Sequence, residues 1–489
     1  MSAALAAIDV DTVIVGAGFA GIGMGIQLAR RGDTSFVILE RADDVGGTWR
    51  DNTYPGVACD IPSHLYSFSF RQNPNWSRFF APGAEIHDYL RRAAHDEGLL
   101  PHLRFGADVT MMRWDAAAVR WLVSTPSGDY RCRALIVAAG RLSELRVPPL
   151  PGLAGFDGPI MHSSQWNDSV AVEGKRVGVV GTGASAIQLI PRLAETASSV
   201  VVFQRTAAYV VPRDDREYTA AERRTFQRDP RSMDDLRSRL FWNAETAFAE
   251  RVGTPAFVDR LRDRAAGHLA AQVGSPALRE QLTPDYEIGC KRVLISSDFY
   301  PAVASPVVTL EPAALASIDG DGRAVSARGI PFDLDVLVFA TGFETTRPPF
   351  AERVFGRDGA SLADHWDNGM AAFASTVVAG FPNLFVIDGP NASLGHNSAV
   401  YMIESQIDYV LGALDHMRSA DRDELEVTDE AERNYVRDLD RRSSTTVWLT
   451  GGCHSWYVDD ASGRLTLLWP DFAHAFRAEL ASVRAEVYR

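Results

Sequence analysis

Two glycine-rich turns hold the residues best suited to chemistry. The first, Gly16-Ala17-Gly18-Phe19-Ala20-Gly21, follows the β-branched apolar run at 11–16 and opens an amphipathic stretch that ends near Arg31. In a GxGxxG turn the first two glycines allow a tight bend and close backbone approach to a pyrophosphate, and the third lets helix and strand pack. Glu40 ends the next apolar run, 36–39. A carboxylate there accepts hydrogen bonds from a ribose diol. The pattern predicts a dinucleotide site, and the alternative is a glycine-rich turn with no ligand.

The second turn, Gly181-Thr182-Gly183-Ala184-Ser185-Ala186, comes 165 residues later, and its second strand ends in Gln204-Arg205-Thr206 instead of an acid. An acid would repel a 2′-phosphate, whereas a guanidinium binds one as a fork. Gly181, Gly183, Ser185, Ala186, Gln188, Arg205 and Thr206 are therefore assigned to NADP(H), which leaves FAD for the first site. The plain alternative for Arg205 is a surface cation at a strand end. Two nucleotide sites in one chain imply a flavin enzyme reduced by NADPH. The four cysteines stand far apart, at 59, 132, 290 and 453, with no CxxC pair. Neither a redox dithiol beside the flavin, nor a disulfide framework, nor a zinc site is suggested, and a reducing compartment fits. Reaction of the reduced flavin with oxygen is the leading remaining chemistry.

The elements that position these turns follow from local pattern. Strand, glycine turn, helix and strand occur at 11–40 and again at 175–206. Parallel strands need crossover helices, so the fold class is α/β with two Rossmann-like dinucleotide-binding domains. Alternating runs between 105 and 140 read as strands of a smaller sheet that returns to the first domain. The stretch 144–152, with three prolines and a glycine, reads as a linker. Residues 214–288 are charge-rich with helical spacing of Leu240, Phe241, Ala244 and Phe248, which resembles an inserted helical lid more than a third core. The expected division is an FAD domain at 1–143 plus 380–489, and an NADPH domain at 152–375.

The 489 residues suggest about three domains at roughly 150 residues each. Apolar residues make up 46% and charged residues 23%, which argues against a disordered chain. Lys and Arg number 49 against 63 Asp and Glu, a net charge of −14. Nucleic acid and anionic membranes are bound through basic surface, so neither is expected as a partner. The apolar stretch 12–29 is glycine-rich and is preceded by Asp9 and Asp11, unlike a signal peptide or a spanning helix. A soluble, cytoplasmic protein is expected.

At this point the residues resemble a family. Phe156, Gly158, His162 and Trp166 fit the FxGxxxHxxxW fingerprint of type I Baeyer–Villiger monooxygenases, placed just before the second glycine turn as in that family. Asn167 follows where the family often has proline. Gly46-Gly47-Thr48-Trp49, Tyr54-Pro55-Gly56 with Asp60, Cys290-Lys291-Arg292, Phe339-Ala340-Thr341-Gly342 and Gly389-Pro390-Asn391 also look like family stretches. The related flavin-containing monooxygenases usually carry another aromatic at the position of Trp166.

The resemblance implies an FAD-containing, NADPH- and O2-dependent enzyme that turns a ketone into an ester or lactone through a flavin C4a-peroxide. It implies that Arg292 keeps that peroxide anionic and that Asp60 holds Arg292 in place; a permanently charged guanidinium lowers the peroxide pKa. It assigns Gly47, Thr48, Trp49, Asp60, Lys291, Thr341, Gly342 and Asn391 to cofactor binding, with core packing open for Trp49 and Tyr54. Lys291 reaches the 2′-phosphate beside Arg205 or is simply solvated. His162 reads as a hinge residue and Trp166 as packing. His396-Asn397-Ser398 either caps the C-terminal helix or points backbone N–H groups at the flavin. No metal is called for. The rival chemistry is oxygenation of nitrogen or sulfur, for which an anion-stabilising Arg292 would be wasted.

Overall fold

The computed structural model describes residues 7–252 and 254–489. Its first sheet is organised around Ile8–Val15, which pairs in parallel with Phe36–Leu39 and with Gly128–Val137. Val13 and Ile14 are wholly buried there, so both faces of the strand are covered. The helix Phe19–Arg30 makes the crossover between Ile8–Val15 and Phe36–Leu39. Across the sheet the order is Val354–Phe355, Met111–Asp115, Arg120–Thr125, Gly128–Val137, Ile8–Val15, Phe36–Leu39 and Leu103–Arg104. The runs expected to form a smaller sheet are instead an antiparallel wing of this one. Gly128–Val137 is ten residues long, enough for its first half to pair antiparallel with Arg120–Thr125 while its second half runs parallel to Leu384–Val386. The chain is back in the first sheet at Val354–Phe355, ahead of the return expected at 380, and Leu362, Trp366 and Met370 share an apolar cluster with Val13 and Val37.

The second sheet is entirely parallel: Val308–Glu311, Ser199–Phe203, Arg176–Val180, Val336–Phe339 and Ile160–His162. Valines at 177, 179, 200 and 202 are inaccessible to solvent, as an all-parallel sheet requires. The fingerprint segment thus supplies an edge strand, with His162 opposite Phe339.

Helices Ala220–Arg228, Arg231–Thr246, Pro255–Gln272 and Pro276–Gln281 occupy the expected insertion. Thr219 and Glu222 form a capping box that starts the first of them. Among the described residues the insertion centres only a small cluster of its own, Val211, Leu261, Ala265 and Ile288. Phe226, Met233 and Phe241 join the cluster of Phe19, Phe68 and Tyr409, while Leu269 joins that of Val177 and Val200. It straps one domain to the other. Glu245 fastens it: its carboxylate accepts from Asn397 Nδ2 at 2.7 Å, His474 Nδ1 at 2.7 Å and the Ala473 N–H at 3.2 Å, with His396 Nε2 at 3.3 Å. Burial works against that charge, yet the bonds from His396, Asn397 and His474 outweigh it and hold the carboxyl down at about 2. No helix among the described residues is long and apolar enough to cross a membrane.

Candidate active site and cofactor grooves

The first groove is made by backbone. Gly16 has φ +104°, and a Cβ there would lie 2.5 Å from the Ala138 carbonyl oxygen. Gly18 is the N-cap of Phe19–Arg30 and offers no side-chain cap, so the first-turn N–H groups are left for a ligand. The Gly46-Gly47 turn lies against this one, with the Gly46 N–H donating to the Ala17 carbonyl at 2.9 Å. Thr48 begins a short helix, and Trp49 stacks edge-on against Tyr66 at 5.5 Å. Glu40 is buried; it accepts from the Ala17 N–H at 2.8 Å and pairs with Arg50 at 3.0 Å.

The second groove repeats the plan with one difference. Gly181 has φ +110° and crowds the Ala340 carbonyl, whereas Gly183 caps Ala184–Thr196 with nothing within 4 Å of an added Cβ. A Cβ at Gly21 would lie 1.8 Å from the Gly16 oxygen, while Ala186 carries one in the core, so helix and strand are packed more closely in the first turn. At the strand end a cleft of about 370 Å³ is lined by Arg205, Thr206, Tyr286, Lys291 and His454. Thr206 accepts from Thr182 Oγ1 through its carbonyl. Lys291 Nζ sits 4.9 Å over the Tyr286 ring. Burial, with the Arg205 guanidinium nearby, pushes the Lys291 ammonium below its ordinary pKa. Neither Arg205 nor Lys291 has an ion-pair partner among the described residues. Two cations facing one cleft suit a dianion.

The domains meet between these grooves. Arg292 bonds Asp60 Oδ2 through Nε at 2.8 Å and Nη2 at 2.6 Å, and the carboxylate raises the guanidinium pKa. Arg213, which the sequence reading did not single out, donates from Nη2 to the Cys59 carbonyl at 3.1 Å and lies 4.9 Å over the Phe80 ring. No motif marks it. Gln188 is turned toward the first domain: Oε1 accepts from Tyr54 Oη at 2.9 Å and Nε2 donates to the Ala58 carbonyl at 3.0 Å. Its amide is thus occupied by the 54–58 loop, not directed at a nucleotide. Ser185 lies beside the same Tyr54.

Other expected residues serve structure where they stand. Asn391 Nδ2 is spent on the Leu465 and Leu468 carbonyls, and its backbone N–H donates to the Thr466 carbonyl at 2.8 Å, so the residue braces the 465–468 segment. Thr341 Oγ1 holds the Arg146 carbonyl, and the Gly342 carbonyl accepts from the Arg146 N–H, tying down the proline linker. Phe156 is buried, and Gly158 passes so near Asp335 that a Cβ would lie 2.2 Å from its carbonyl oxygen. His162 is buried, with Nδ1 2.8 Å from Ser164 Oγ, and burial lowers its pKa. Trp166 packs against the second core and bonds Asp168. Ser398, not His396, caps the helix Ala399–Ser419.

The cysteine expectation is overturned. Cys290 and Cys453 form a disulfide, with Cα atoms 6.1 Å apart across 163 residues of sequence, while Cys59 and Cys132 are free and buried. Wide spacing had argued against a bridge, but the fold brings distant segments together. The inference of a reducing compartment loses its support from cysteine usage.

Comparison with known proteins agrees with this geometry. A family model described as pyridine nucleotide-disulphide oxidoreductase matches residues 13–221, the stretch holding both glycine turns. A Baeyer–Villiger monooxygenase of Streptomyces coelicolor is 43% identical over 98% of this chain and 92% of its own length. A Baeyer–Villiger monooxygenase of Pseudomonas aeruginosa is 40% identical over 97% and 90%. The solved structure of cyclohexanone monooxygenase from Rhodococcus sp. Phi1 bound to NADP+ superposes with a TM-score of 0.88 at 28% identity, covering 99% of each chain. The structure of OTEMO in complex with FAD and NADP gives 0.85 at 27% identity, covering 96% of this chain and 97% of that one. The fold and site define a flavin-dependent monooxygenase with two nucleotide domains. More narrowly, the chain belongs to the Baeyer–Villiger monooxygenase family.

Proposed function

We propose that this chain is an FAD-containing, NADPH- and O2-dependent Baeyer–Villiger monooxygenase that converts a ketone to an ester or lactone. The observation that carries the reading is the Asp60–Arg292 pair at the junction of two nucleotide grooves. FAD fits the first groove, where Gly16, Gly18 and Gly21 receive the pyrophosphate, Glu40 the ribose, and Gly47, Thr48 and Trp49 the far wall. NADPH fits the second, with its pyrophosphate at Gly181 and Gly183 and its 2′-phosphate between Arg205 and Lys291.

Bound FAD supplies hydride acceptance and the activation of O2. The chain's own residues do the rest. Arg292 cannot lose its proton at any working pH, so it offers a fixed positive charge to an oxyanion developing beside it. Asp60 accepts from Nε and lies against Nη2, which fixes the guanidinium; the charge would then be held in place for an oxyanion on bound FAD. The buried Trp448 and Tyr457 pack around Cys290, two residues before Arg292, and wall one side of this region. Cytoplasmic placement and small-molecule partners, without nucleic acid, complete the reading; the net charge of −14 supports the exclusion of nucleic acid.

The test is turnover of a panel of cyclic and linear ketones and of sulfides with NADPH, with products followed by mass. Esters or lactones formed in proportion to NADPH are expected. Sulfoxides alone would shift the reading to heteroatom oxygenation, and hydrogen peroxide without oxygenated product would make the protein an NADPH oxidase.

A further inference from the structure

We propose that the Cys290–Cys453 bond is a positioning strut of the NADPH 2′-phosphate cleft: it fixes the 451–457 segment against the Cys290-Lys291-Arg292 loop. The proposal rests on the reading that Arg205 and Lys291 hold that phosphate. Cys290 is wholly buried and immediately precedes Lys291; Cys453 immediately precedes His454. Lys291 and His454 both line the cleft with Arg205. The bond therefore joins two walls of one site at its rim.

Close packing supports the junction. The Glu287 N–H donates to the Gly451 carbonyl at 2.9 Å, and a Cβ at Gly451 would lie 2.8 Å from Cys290 Cβ. Trp448 and Tyr457 pack with Cys290 in one cluster. Past Gly451 the support thins. Residues 452–456 lie outside helix and strand, Gly452, His454 and Trp456 are exposed, and His454 pairs with Asp460 of its own segment at 3.0 Å. A covalent tie removes the freedom this stretch would otherwise keep, and preorganisation of that kind tightens binding without adding a contact. The cleft needs it. Arg205 and Lys291 face the same cleft with like charge, so Lys291 must be held there by the segments packed around it. The tie acts on the cofactor through Lys291, which makes Cys453 a positioning residue.

The test compares the parent with Cys453→Ser and Arg205→Ala, using flavin reduction by NADPH and by NADH. Alkylation of the unfolded, unreduced parent should find two thiols, those of Cys59 and Cys132. Cys453→Ser should raise KM for NADPH about 3- to 10-fold while KM for NADH and kcat stay within about 2-fold. Arg205→Ala should raise it more, about 10- to 150-fold, and should cost less when combined with Cys453→Ser. A strut that matters only for stability would lower Tm and leave the NADPH/NADH ratio unchanged, and that result overturns the proposal. Four free thiols in fully active enzyme overturn it too. If Arg205→Ala shifts NADPH and Cys453→Ser does not, the strut alone fails. If Arg205→Ala shifts nothing, the 2′-phosphate reading fails and takes the strut with it. Should Cys453→Ser not fold, the same ratio is read on parent enzyme treated with excess dithiol. That reaction breaks the S–S bond, leaves thiols at Cys290 and Cys453, and turns the dithiol into its cyclic disulfide.

Discussion

Arg292 and Asp60 are 232 residues apart in sequence and share a hydrogen bond and an ion-pair contact. Each needs the other for a different reason. The guanidinium is charged without help, but its direction is set by the carboxylate. Arg292→Ala should therefore abolish ester formation while FAD stays bound, because neither glycine turn is touched. NADPH should still be consumed, with hydrogen peroxide as the product. Arg292→Lys should recover little, since an ammonium lacks the planar fork and can lose its proton when desolvated. Asp60→Ala should be milder, keeping the cation and losing its aim. Ester and peroxide formed per NADPH measure all three; near-parent ester yield from Arg292→Ala would make that residue structural. Both residues were legible in the sequence because motifs surround them. Arg213 was not, although it donates to the carbonyl of Cys59, the residue before Asp60. It stands in a loop whose partners are set only when the chain folds.

At the scale of elements, the glycine turns and their strands and helices were readable because each is a local pattern with a backbone reason. Pairings between distant segments were not. Val354–Phe355 is two residues long and carries no periodicity, yet it returns the chain to the first sheet. The Glu245 anchor is another such case: its partners lie at 396–397 and 473–474. Glu245→Gln should loosen the insertion, leaving donors that a neutral amide satisfies poorly. The loss should be about 1–3 kcal/mol, read as a Tm drop of about 1 °C per kcal/mol for a chain of this length. The anchor also sets a pH dependence. Its carboxyl titrates near 4.5 when unfolded and at about 2 when folded, so over that window the unfolded chain binds the extra proton. The stabilisation is complete above about 4.5 and is lost as pH falls toward 2. The Tm gap between parent and Glu245→Gln should close over that range; a gap independent of pH would assign the anchor to packing.

For the whole molecule, the decisive surface is the one between the two nucleotide domains. Hydride transfer requires the nicotinamide of one groove to meet the flavin of the other, so the rate depends on how the domains are held. Gln188 holds them from the helix that the second glycine turn opens, gripping Tyr54 and Ala58 of the first domain. The backbone there is just as close, since a Cβ at Gly56 would lie 2.7 Å from the Gln188 carbonyl oxygen. Asp215 adds a second grip, accepting from Arg78 Nε at 2.8 Å and from the Phe80 N–H at 3.1 Å. Sequence placed Gln188 among nucleotide ligands because it follows the turn; the fold turns it the other way, and the two assignments differ in consequence. Were Gln188 a ligand, Gln188→Ala would raise Kd for NADPH. As a clamp, it should leave Kd within about 2-fold, since no contact to the cofactor is removed, and slow flavin reduction about 10-fold, because small misplacements of reacting groups cost rate steeply. Anaerobic stopped flow over a range of NADPH concentrations separates the two, as the limiting rate reports alignment and the half-saturation reports binding. A raised half-saturation with an unchanged limiting rate would return Gln188 to the nucleotide site and leave Asp215 to hold the domains.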